Sequence, residues 1–330
     1  MRAGAGGRAY GGDNHDPPCA GGETYREEVD NRSDIRDFLA TRRARLTPDQ
    51  VGLPVGGRRR VPGLRREEVA VLAGVSTEWY SRLEKGHISG VSEEVLSAVA
   101  TALQLDEEER TYLFDLARAA RPANRTRRRR TEALPPSVQW LLDSMTLSAA
   151  LVSNGRMDVL AINPLGRALY APMLDGGTVR ERGTPNIARF HFLHPGAPGF
   201  YADWDAAADA VVALLRAEAG RYPNDKALCE LVGDLSVSSP EFRTRWAAHN
   251  IRIHHGGVKR FRHPEVGPLE LTYQSLDLPT SLHAVHTLTT YVAEPGSASE
   301  DRFKLLASWA APSVGSSGTS RSDGRPDQHV

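Results

Sequence analysis

One stretch, residues 63–86 (GLRREEVAVLAGVSTEWYSRLEKG), constrains the fold more than any other part of this chain. Apolar residues recur at helical spacing through residues 65–73, which predicts a short amphipathic helix. Gly74 follows where a helix can end in the left-handed conformation, and Ser76 is a favoured N-cap for a second helix. Two short helices joined by a tight turn that contains glycine form a helix-turn-helix unit. The second helix of such a unit is shaped to enter the major groove of DNA.

On the second helix, Tyr80 and Leu83 share one apolar face, so we expect both side chains to point into the core. The remaining side chains are polar or amphipathic and are predicted to point mostly outward. The candidate DNA contacts on and beside this helix are Ser76, Thr77, Glu78, Trp79, Ser81, Arg82 and Lys85.

The net charge of the chain is zero, but the charge is unevenly distributed. Residues 31–130 carry 20 basic and 14 acidic side chains, and residues 41–66 carry eight arginines against the single acid Asp49. The guanidinium group donates in a planar fork that suits bidentate contact with phosphate. A solvated surface is the alternative interpretation of such a run. The candidate phosphate contacts are Arg42, Arg43, Arg58, Arg59, Arg60, Arg65 and Arg66.

The flanks of the motif also read as helices. Ser33 is expected to cap a first helix, Ser92 a fourth, and Asp106 a fifth, the last with Glu109 three residues on. The connection over residues 47–63 is long and rich in arginine, so we expect it to lie beside the DNA backbone.

Over residues 33–120 the chain resembles the λ-repressor/Cro-like (XRE) family of helix-turn-helix domains, through "SDIRDFLATRRARL", "RREEVAVLAGVSTEWYSRLEKG" and "VSEEVLSAVATALQLDEEERTYLFDLARAA". The resemblance implies an all-α domain of five helices. It also implies that Arg66 contacts a phosphate and that Thr77, Glu78 and Arg82 reach base edges. Trp79 stands where the family often has a small polar residue.

Length and segment composition predict a multidomain protein, because 330 residues suffice for two cores. We expect a disordered extension over 1–30, a helix-turn-helix domain over 31–120, a basic linker over 121–136, a ligand-binding domain over 137–311 and a disordered tail over 312–330. Neither a signal peptide nor an apolar run near 18 residues is evident, so we expect a cytoplasmic protein that does not enter the membrane. We also expect translation to start near Val29.

Beyond the linker the pattern changes to a mixture of strands and helices. Residues 148–154 and 156–163 read as two strands around Asn154-Gly155, and residues 207–220 as an amphipathic helix. Three further strand candidates follow at 258–263, 269–278 and 282–292. Five strands with helices inserted between the second and the third predict an α+β domain on an antiparallel sheet.

This second region resembles the sensor half of actinobacterial MmyB-like regulators, a PAS-like ligand-binding domain. The stretches "MDVLAIN", "LVGDLSVSSPEFRTRWAAHN" and "VKRFRHPEVGPLELTYQSLDLP" carry the resemblance, which runs from about residue 134 to 311. It implies a sensor for a small, apolar, fatty-acid-like metabolite. The candidate ligand-binding residues are large aromatic groups and polar anchors, namely Trp140, Asn163, Tyr170, Phe190, Tyr201, Trp204, Trp246 and His249. Each could instead belong to the core.

Other classes of function receive little support. No GxSxG, HExxH, P-loop or GxGxxG motif occurs in a suitable context, so no enzyme is expected. His191 and His194 could share a helical face, but no cysteine or carboxylate stands at a matching spacing for a metal site. Cys19 and Cys229 are far apart and are expected to be reduced thiols.

The sequence therefore predicts a DNA-binding transcription regulator that binds double-stranded DNA as a homodimer, responds to a small-molecule effector and needs no cofactor. A haem or metal sensor and a protein-interaction module remain as alternatives for the second domain.

Overall fold

The structure is a computed structural model, and it describes residues 22–54, 61, 63–120, 134–175, 184–250, 255–280 and 285–310. The chain divides into two compact units. The first comprises Met1–Arg128, Arg216–Val232 and Trp246–Arg252, and the second comprises Arg129–Leu215, Gly233–Arg245 and Ile253–Val330. Residues 1–21, 121–133 and 311–330, where we expect an extension, most of a linker and a tail, lie outside the described residues.

Five helices build the amino-terminal part of the first unit: α1 (Gly22–Arg45), α2 (Arg66–Leu72), α3 (Thr77–Glu84), α4 (Glu93–Ala102) and α5 (Glu107–Ala119). A short 3-10 turn, Asp49–Val51, follows α1. One apolar core joins the five helices, and Phe38, Tyr80, Leu96 and Leu113 are among its fully or almost fully buried members. The all-α helix-turn-helix region predicted from the sequence is confirmed.

The expected start of the first helix at Ser33 is wrong, because α1 begins at Gly22. Residues 22–32 contain several good helix formers, including three glutamates, and no proline, so nothing in the local sequence stops the helix before Ser33. Ser33 Oγ donates instead to Asp37 Oδ2 at 3.5 Å, one turn further on. The expected caps at Ser92 and Asp106 are confirmed, since their side chains accept from Val95 N and Glu109 N.

The second unit holds a five-stranded antiparallel sheet in the order β2-β1-β5-β4-β3. The strands are β1 (Ala149–Ser153), β2 (Val159–Ile162), β3 (Gly256–His263), β4 (Gly267–Pro279) and β5 (Val285–Ala293). The helices of this part of the chain are α6 (Pro136–Asp143), α7 (Pro164–Leu169), α8 (Ala171–Leu174), α9 (Ile187–Leu193), α10 (Ala197–Phe200), α11 (Trp204–Arg221), α12 (Lys226–Ser238), α13 (Pro240–Ala247) and α14 (Ala298–Ala310). Three of them are divided between the units, since the carboxyl-terminal ends of α11 and α13 and the first half of α12 belong to the first unit.

Each of the five predicted strands is present, and helices stand between the second and the third, so the α+β prediction is confirmed. The β1–β2 connection closes differently from a two-residue Asn-Gly turn. The left-handed residue is Met157, with φ 65°, and Asn154 Oδ1 accepts from the backbone N–H groups of Arg156 and Asp158. The Asn154 side chain therefore forms a local turn that mimics a backbone hydrogen-bonding group.

The two faces of the sheet are covered differently. Val138 and Leu142 of α6 pack on one face, against Ala150, Val152 and Leu288. The other face carries a larger core with many aromatic side chains. This second face carries four of the candidate ligand-binding residues, Tyr170, Phe190, Tyr201 and Trp204. None of the helices in the described ranges combines the length and the apolar character needed to cross a membrane.

Candidate DNA-binding and ligand-binding sites

The turn between α2 and α3 has the geometry that the sequence predicts. Gly74 adopts φ 66°, and Val75 N donates to Ala70 O at 2.9 Å, which closes the end of α2. Ser76 is the N-cap of α3, and its side-chain oxygen accepts from Trp79 N at 3.1 Å. Only a residue that tolerates positive φ fits the Gly74 position without strain. These local preferences set the angle at which α3 leaves the turn.

Helix α3 buries one face and exposes the other. Tyr80 and Leu83 are buried, as expected from their spacing. Ser76, Thr77, Glu78, Arg82 and Lys85 are exposed, whereas Trp79 and Ser81 are half-buried. Positions 77, 78, 81, 82 and 85 follow the spacing of one helical face. We name this surface the reading face. Trp79 packs partly against the core, so much of its indole is not available to a groove.

Glu84, which sequence reasoning did not select, organises the arginines beside the reading face. Its side chain is 1% exposed and accepts from Arg43 Nε and Nη2 at 3.0 and 2.9 Å. Arg66 Nε and Nη2 donate to the same carboxylate at 3.1 and 2.9 Å. The sequence offered one signal for this role. Glu84 lies one helical turn after Tyr80 and directly after Leu83, on the face predicted to be buried, and a buried carboxylate requires a cationic partner.

Two of the candidate phosphate contacts therefore have an internal role. The side chain of Arg43 is 15% exposed and also donates to Leu64 O, so it joins α1 to the start of α2. The Arg66 side chain is 52% exposed, although its Nε and Nη2 donate to Glu84. Arg65 is partly exposed beside Glu67, and Arg58, Arg59 and Arg60 lie outside the described residues.

Arg42 is buried and cannot reach a phosphate in this arrangement. It is 3% exposed, its Nε lies 2.7 Å from Glu109 Oε1, and its Nη2 donates to His249 O. Burial lowers the pKa of Arg42 to about 10, although the Glu109 carboxylate opposes this shift. The expected phosphate contact by Arg42 is therefore wrong, because its guanidinium is buried against Glu109 and His249.

Trp246 and His249, two of the candidate ligand residues, lie in the first unit with Arg42. The Arg216 guanidinium stacks 4.1 Å from the Trp246 ring centroid, and Arg216 Nη1 donates to His249 Nδ1 at 2.9 Å. Burial, followed by the charge of Arg216, lowers the pKa of His249 to about 4, so its ring is neutral at pH 7. Both residues therefore interact with Arg216 in the first unit and do not join the other candidate ligand residues.

Four of the candidate ligand residues do come together in the second unit. Tyr170, Phe190 and Tyr201 are buried in one aromatic cluster, and Trp204 packs at its edge. The Phe190 and Tyr201 ring centroids are 6.2 Å apart. Tyr170 Oη donates to Tyr291 Oη at 2.8 Å, and burial raises the pKa of Tyr170 well above its ordinary value. This aromatic cluster lies on the face of the sheet opposite to the one that α6 covers.

His191 and Lys259, neither of them a candidate ligand residue from the sequence, border the same cluster. The His191 ring stacks on Trp204 with 4.9 Å between centroids and lies 4.8 Å from the Tyr201 ring. Lys259 Nζ lies 5.9, 5.3 and 5.9 Å from the ring centroids of Tyr201, Tyr273 and Tyr291. Alternation along β3 places Lys259 on the same face as the buried Phe261, which is the signal that the sequence offered.

The two remaining candidates lie elsewhere. Asn163 is fully buried; its Oδ1 accepts from Ala150 N and Gly166 N, and its Nδ2 donates to Met145 O and Ser148 O. These four bonds use the capacity of the amide, so Asn163 ties β1 to α7 and leaves no group for a ligand. Trp140 is 71% exposed on α6, outside the aromatic cluster.

A groove of about 550 Å³ occurs in a different part of the second unit, between α6, α7, α8 and the end of α14. It is open to solvent, and its walls include Asp143, Arg167 and Asp175. None of the aromatic cluster lines it. The aromatic cluster, by contrast, offers the apolar and aromatic side chains that line most specific pockets for small molecules.

The histidines do not form a metal centre in the described part of the chain. His191 Nε2 lies 3.2 Å from Trp204 O, whereas His194 Nδ1 accepts from Gly196 N at 3.1 Å. Within the described ranges no three residues among histidine, cysteine, aspartate and glutamate are grouped so that they could hold a metal ion.

Comparison with known families agrees with this geometry. A family model described as the MmyB-like transcription regulator ligand binding domain matches residues 134–306, which is more than half of the chain. A second model, described as a helix-turn-helix domain, matches residues 34–113. No curated protein matches the chain. Both matched families are regulatory rather than enzymatic. The chain therefore belongs to the MmyB-like transcription regulators, with an XRE-type helix-turn-helix domain followed by an MmyB-like ligand-binding domain.

Proposed function

We propose that this regulator reads a specific DNA sequence with α3 and that an apolar, fatty-acid-like metabolite at the aromatic cluster changes its affinity for DNA. The observation that carries the proposal is the reading face, where polar side chains stand exposed on a helix whose opposite face is buried. Thr77, Glu78 and Arg82 are proposed to contact base edges. Ser76, Ser81 and Lys85 are proposed to contact phosphates and to fix the register of the helix.

Arg65 and Arg66 are proposed to add phosphate contacts, together with Arg58, Arg59 and Arg60. We assign Arg43 to support of α2 through Glu84 rather than to DNA. A single helix of this length reads only a few base pairs, so we propose that the protein acts as a cytoplasmic homodimer on two half-sites about one helical turn apart.

The test is fluorescence anisotropy with the full chain, DNA from immediately upstream of its own gene and an excess of unrelated competitor. Arg82→Ala should lose about 1–3 kcal/mol of discrimination between specific and unrelated DNA, because a bidentate base contact is worth that amount. Arg118→Ala on α5 removes the same charge outside the reading face and serves as the matched control. Equal selectivity of both variants and the wild type would refute the role of α3 in reading.

Salt separates the two kinds of contact. Affinity for both DNAs should fall steeply as salt rises, since each phosphate contact releases bound counterions. Lys85→Ala should reduce the slope of this dependence by about one unit and leave selectivity unchanged. A change in selectivity without a change in slope would assign Lys85 to a base instead.

A further inference from the structure

The first unit contains more of the chain than its helix-turn-helix domain. The model of that domain matches residues 34–113, but Arg216–Val232 and Trp246–Arg252 belong to the same unit. Both segments lie within residues 134–306, which the ligand-binding family model matches. Two segments of the ligand-binding region therefore complete the unit that reads DNA.

The last turns of α11 lie close to α1 and α5 in the first unit. Arg216 is 1% exposed, and its Nη1 lies 3.7 Å from Asp34 Oδ1 on α1. Gly220 packs so tightly that a Cβ atom added there would lie 2.3 Å from Tyr112 Cε2 on α5. The Tyr112 ring is itself buried and packs edge-on against Phe38 with 5.1 Å between centroids. The end of α11 therefore rests against the core of the helix-turn-helix domain.

The end of α13 joins α11 and α1 in the same place. Arg216 Nη2 donates to Trp246 O, and Arg42 Nη2 donates to His249 O. Among the described residues, Arg216 Nε and Arg42 Nη1 are buried and have no hydrogen-bond partner. Unpaired buried donors carry a free-energy cost, so this contact contributes less net stability than a fully paired one.

The first residue of α11 is held in the second unit. Trp204 Nε1 donates to His191 O, and His191 Nε2 donates to Trp204 O, both at 3.2 Å. Their rings stack with 4.9 Å between centroids. The Arg245 guanidinium of α13 lies 5.1 Å from the Trp204 ring centroid, and its Nε donates to Asp209 of α11 at 2.9 Å. The aromatic cluster therefore fixes the start of α11, and Arg245 ties α13 to it.

The helix between these two ends is suited to carry a displacement. Trp204 and Arg216 lie 12 positions apart on one continuous helix, which corresponds to about 18 Å along its axis. The helix contains no proline, and its one glycine, Gly220, lies in the last turn. Sharp kinks in helices arise mostly at proline and at glycine, so the segment between Trp204 and Arg216 moves as one body.

We propose that α11 couples the two units, so that a molecule bound beside Trp204 alters the hold of Arg216 on α1 and α5. This inference rests on the proposed function and names the route by which its two sites communicate. A ligand shifts such an equilibrium only when it binds two arrangements of the helix with different affinity. Trp204 and His191 border the aromatic cluster, so a bound molecule acts on their contact directly. The incompletely paired Arg216 lowers the cost of moving the opposite end.

The experiment is a double-mutant cycle on the full chain, measured by native-state hydrogen exchange of the α5 amides. Trp204→Leu removes the stacked ring and its hydrogen bond in the second unit. Arg216→Met removes the guanidinium in the first unit and keeps an apolar side chain of similar length. Phe303→Leu is the matched control, because Phe303 is a buried aromatic residue of the same cluster that lies on α14 rather than on α11.

We expect Trp204→Leu to lower the protection of the α5 amides by about fivefold or more, and Phe303→Leu to change it by less than about twofold. In the Arg216→Met background, Trp204→Leu should change this protection by less than about twofold. Unchanged α5 protection in Trp204→Leu, an equal loss in Phe303→Leu, or an undiminished effect in the Arg216→Met background would overturn the inference. If Arg216→Met unfolds the first unit, Arg216→Lys, which keeps the charge but not the paired donors, takes its place in the cycle.

Anisotropy of the same variants on DNA keeps this test apart from that of the proposed function. If the α5 amides respond to Trp204→Leu through Arg216 while DNA affinity is unchanged, the coupling stands and the proposed effect on DNA binding fails. If DNA is read selectively while the α5 amides do not respond, the reading function stands and the coupling through α11 fails.

Discussion

Replacement of Glu84 by alanine tests whether this carboxylate holds the DNA-binding helices together. The substitution removes the shared acceptor of Arg43 and Arg66 and leaves both guanidinium groups without it. Arg43 reaches Glu84 from α1 and Arg66 reaches it from the first residue of α2. The carboxylate on α3 therefore links three helices of the same unit.

The expected cost follows from the burial of the three side chains. Removing one partner of a buried ion pair costs about 3–5 kcal/mol, because the remaining charge is left uncompensated. The side chains of Glu84 and Arg43 are 1% and 15% exposed, which places their pair within this class. The Arg66 side chain is 52% exposed, so water can solvate it after the substitution. We therefore expect a loss near the lower limit, about 3 kcal/mol of the unfolding free energy.

Native-state hydrogen exchange of the α2 and α3 amides measures this loss, because it reports the opening of this unit independently of the second. Glu78→Ala removes an exposed carboxylate from the same helix and should change stability by less than about 0.5 kcal/mol. The cycle of Glu84→Ala and Arg43→Ala should give a coupling energy of about 2 kcal/mol. A loss below about 1 kcal/mol for Glu84→Ala, or a coupling of zero, would refute the reasoning.

Three further outcomes are expected. The pKa of His249 is lowered to about 4 from 6.5, so the unfolded chain binds more protons than the folded one between these two pH values. The unfolding free energy should therefore fall as the pH drops from 6.5 to about 4. His249→Asn should reduce this pH dependence in urea titrations at several pH values, because asparagine tolerates the φ of 52° at this position. Gly166→Ala should destabilise the second unit by about 1–3 kcal/mol in thermal melts, because the new Cβ would lie 2.8 Å from Ala150 O, whereas Gly233→Ala, with open space in α12, should be neutral or stabilising. Tyr170→Phe should cost about 1 kcal/mol through loss of its buried hydrogen bond, and unchanged urea midpoints would contradict that contact.

The local parts of the fold were predictable because they depend on residues close together in the chain. The left-handed turn at Gly74, the cap at Ser76 and the buried positions Tyr80 and Leu83 all follow from backbone preference and helical spacing. The five strands follow from alternation and turn residues. The predicted start of α1 at Ser33 is wrong, since a good N-cap residue is also compatible with the interior of a longer helix, here one that begins at Gly22.

The candidate sites show where such reasoning ends. The run of arginines over residues 41–66 predicts one basic surface that contacts phosphate. In the structure these arginines differ in burial and in their partners. Arg42 is buried against a residue 207 positions away, and Arg43 pairs with Glu84, 41 positions away. Among the ligand candidates, the pattern found aromatic residues but could not tell the clustered Tyr201 from the exposed Trp140.

The sequence by itself determined the two kinds of domain, the helix-turn-helix geometry and the outward face of α3, because each is encoded within about one or two helical turns or one hairpin. Only the tertiary structure decided which charges are neutralised and which are not. It placed two arginines on the Glu84 carboxylate. Around Lys259 it placed three tyrosine rings, and no carboxylate of the described residues pairs with this lysine. The physical reason is that the energy of a charge depends on burial and on partners brought together by folding, neither of which is a property of the local sequence.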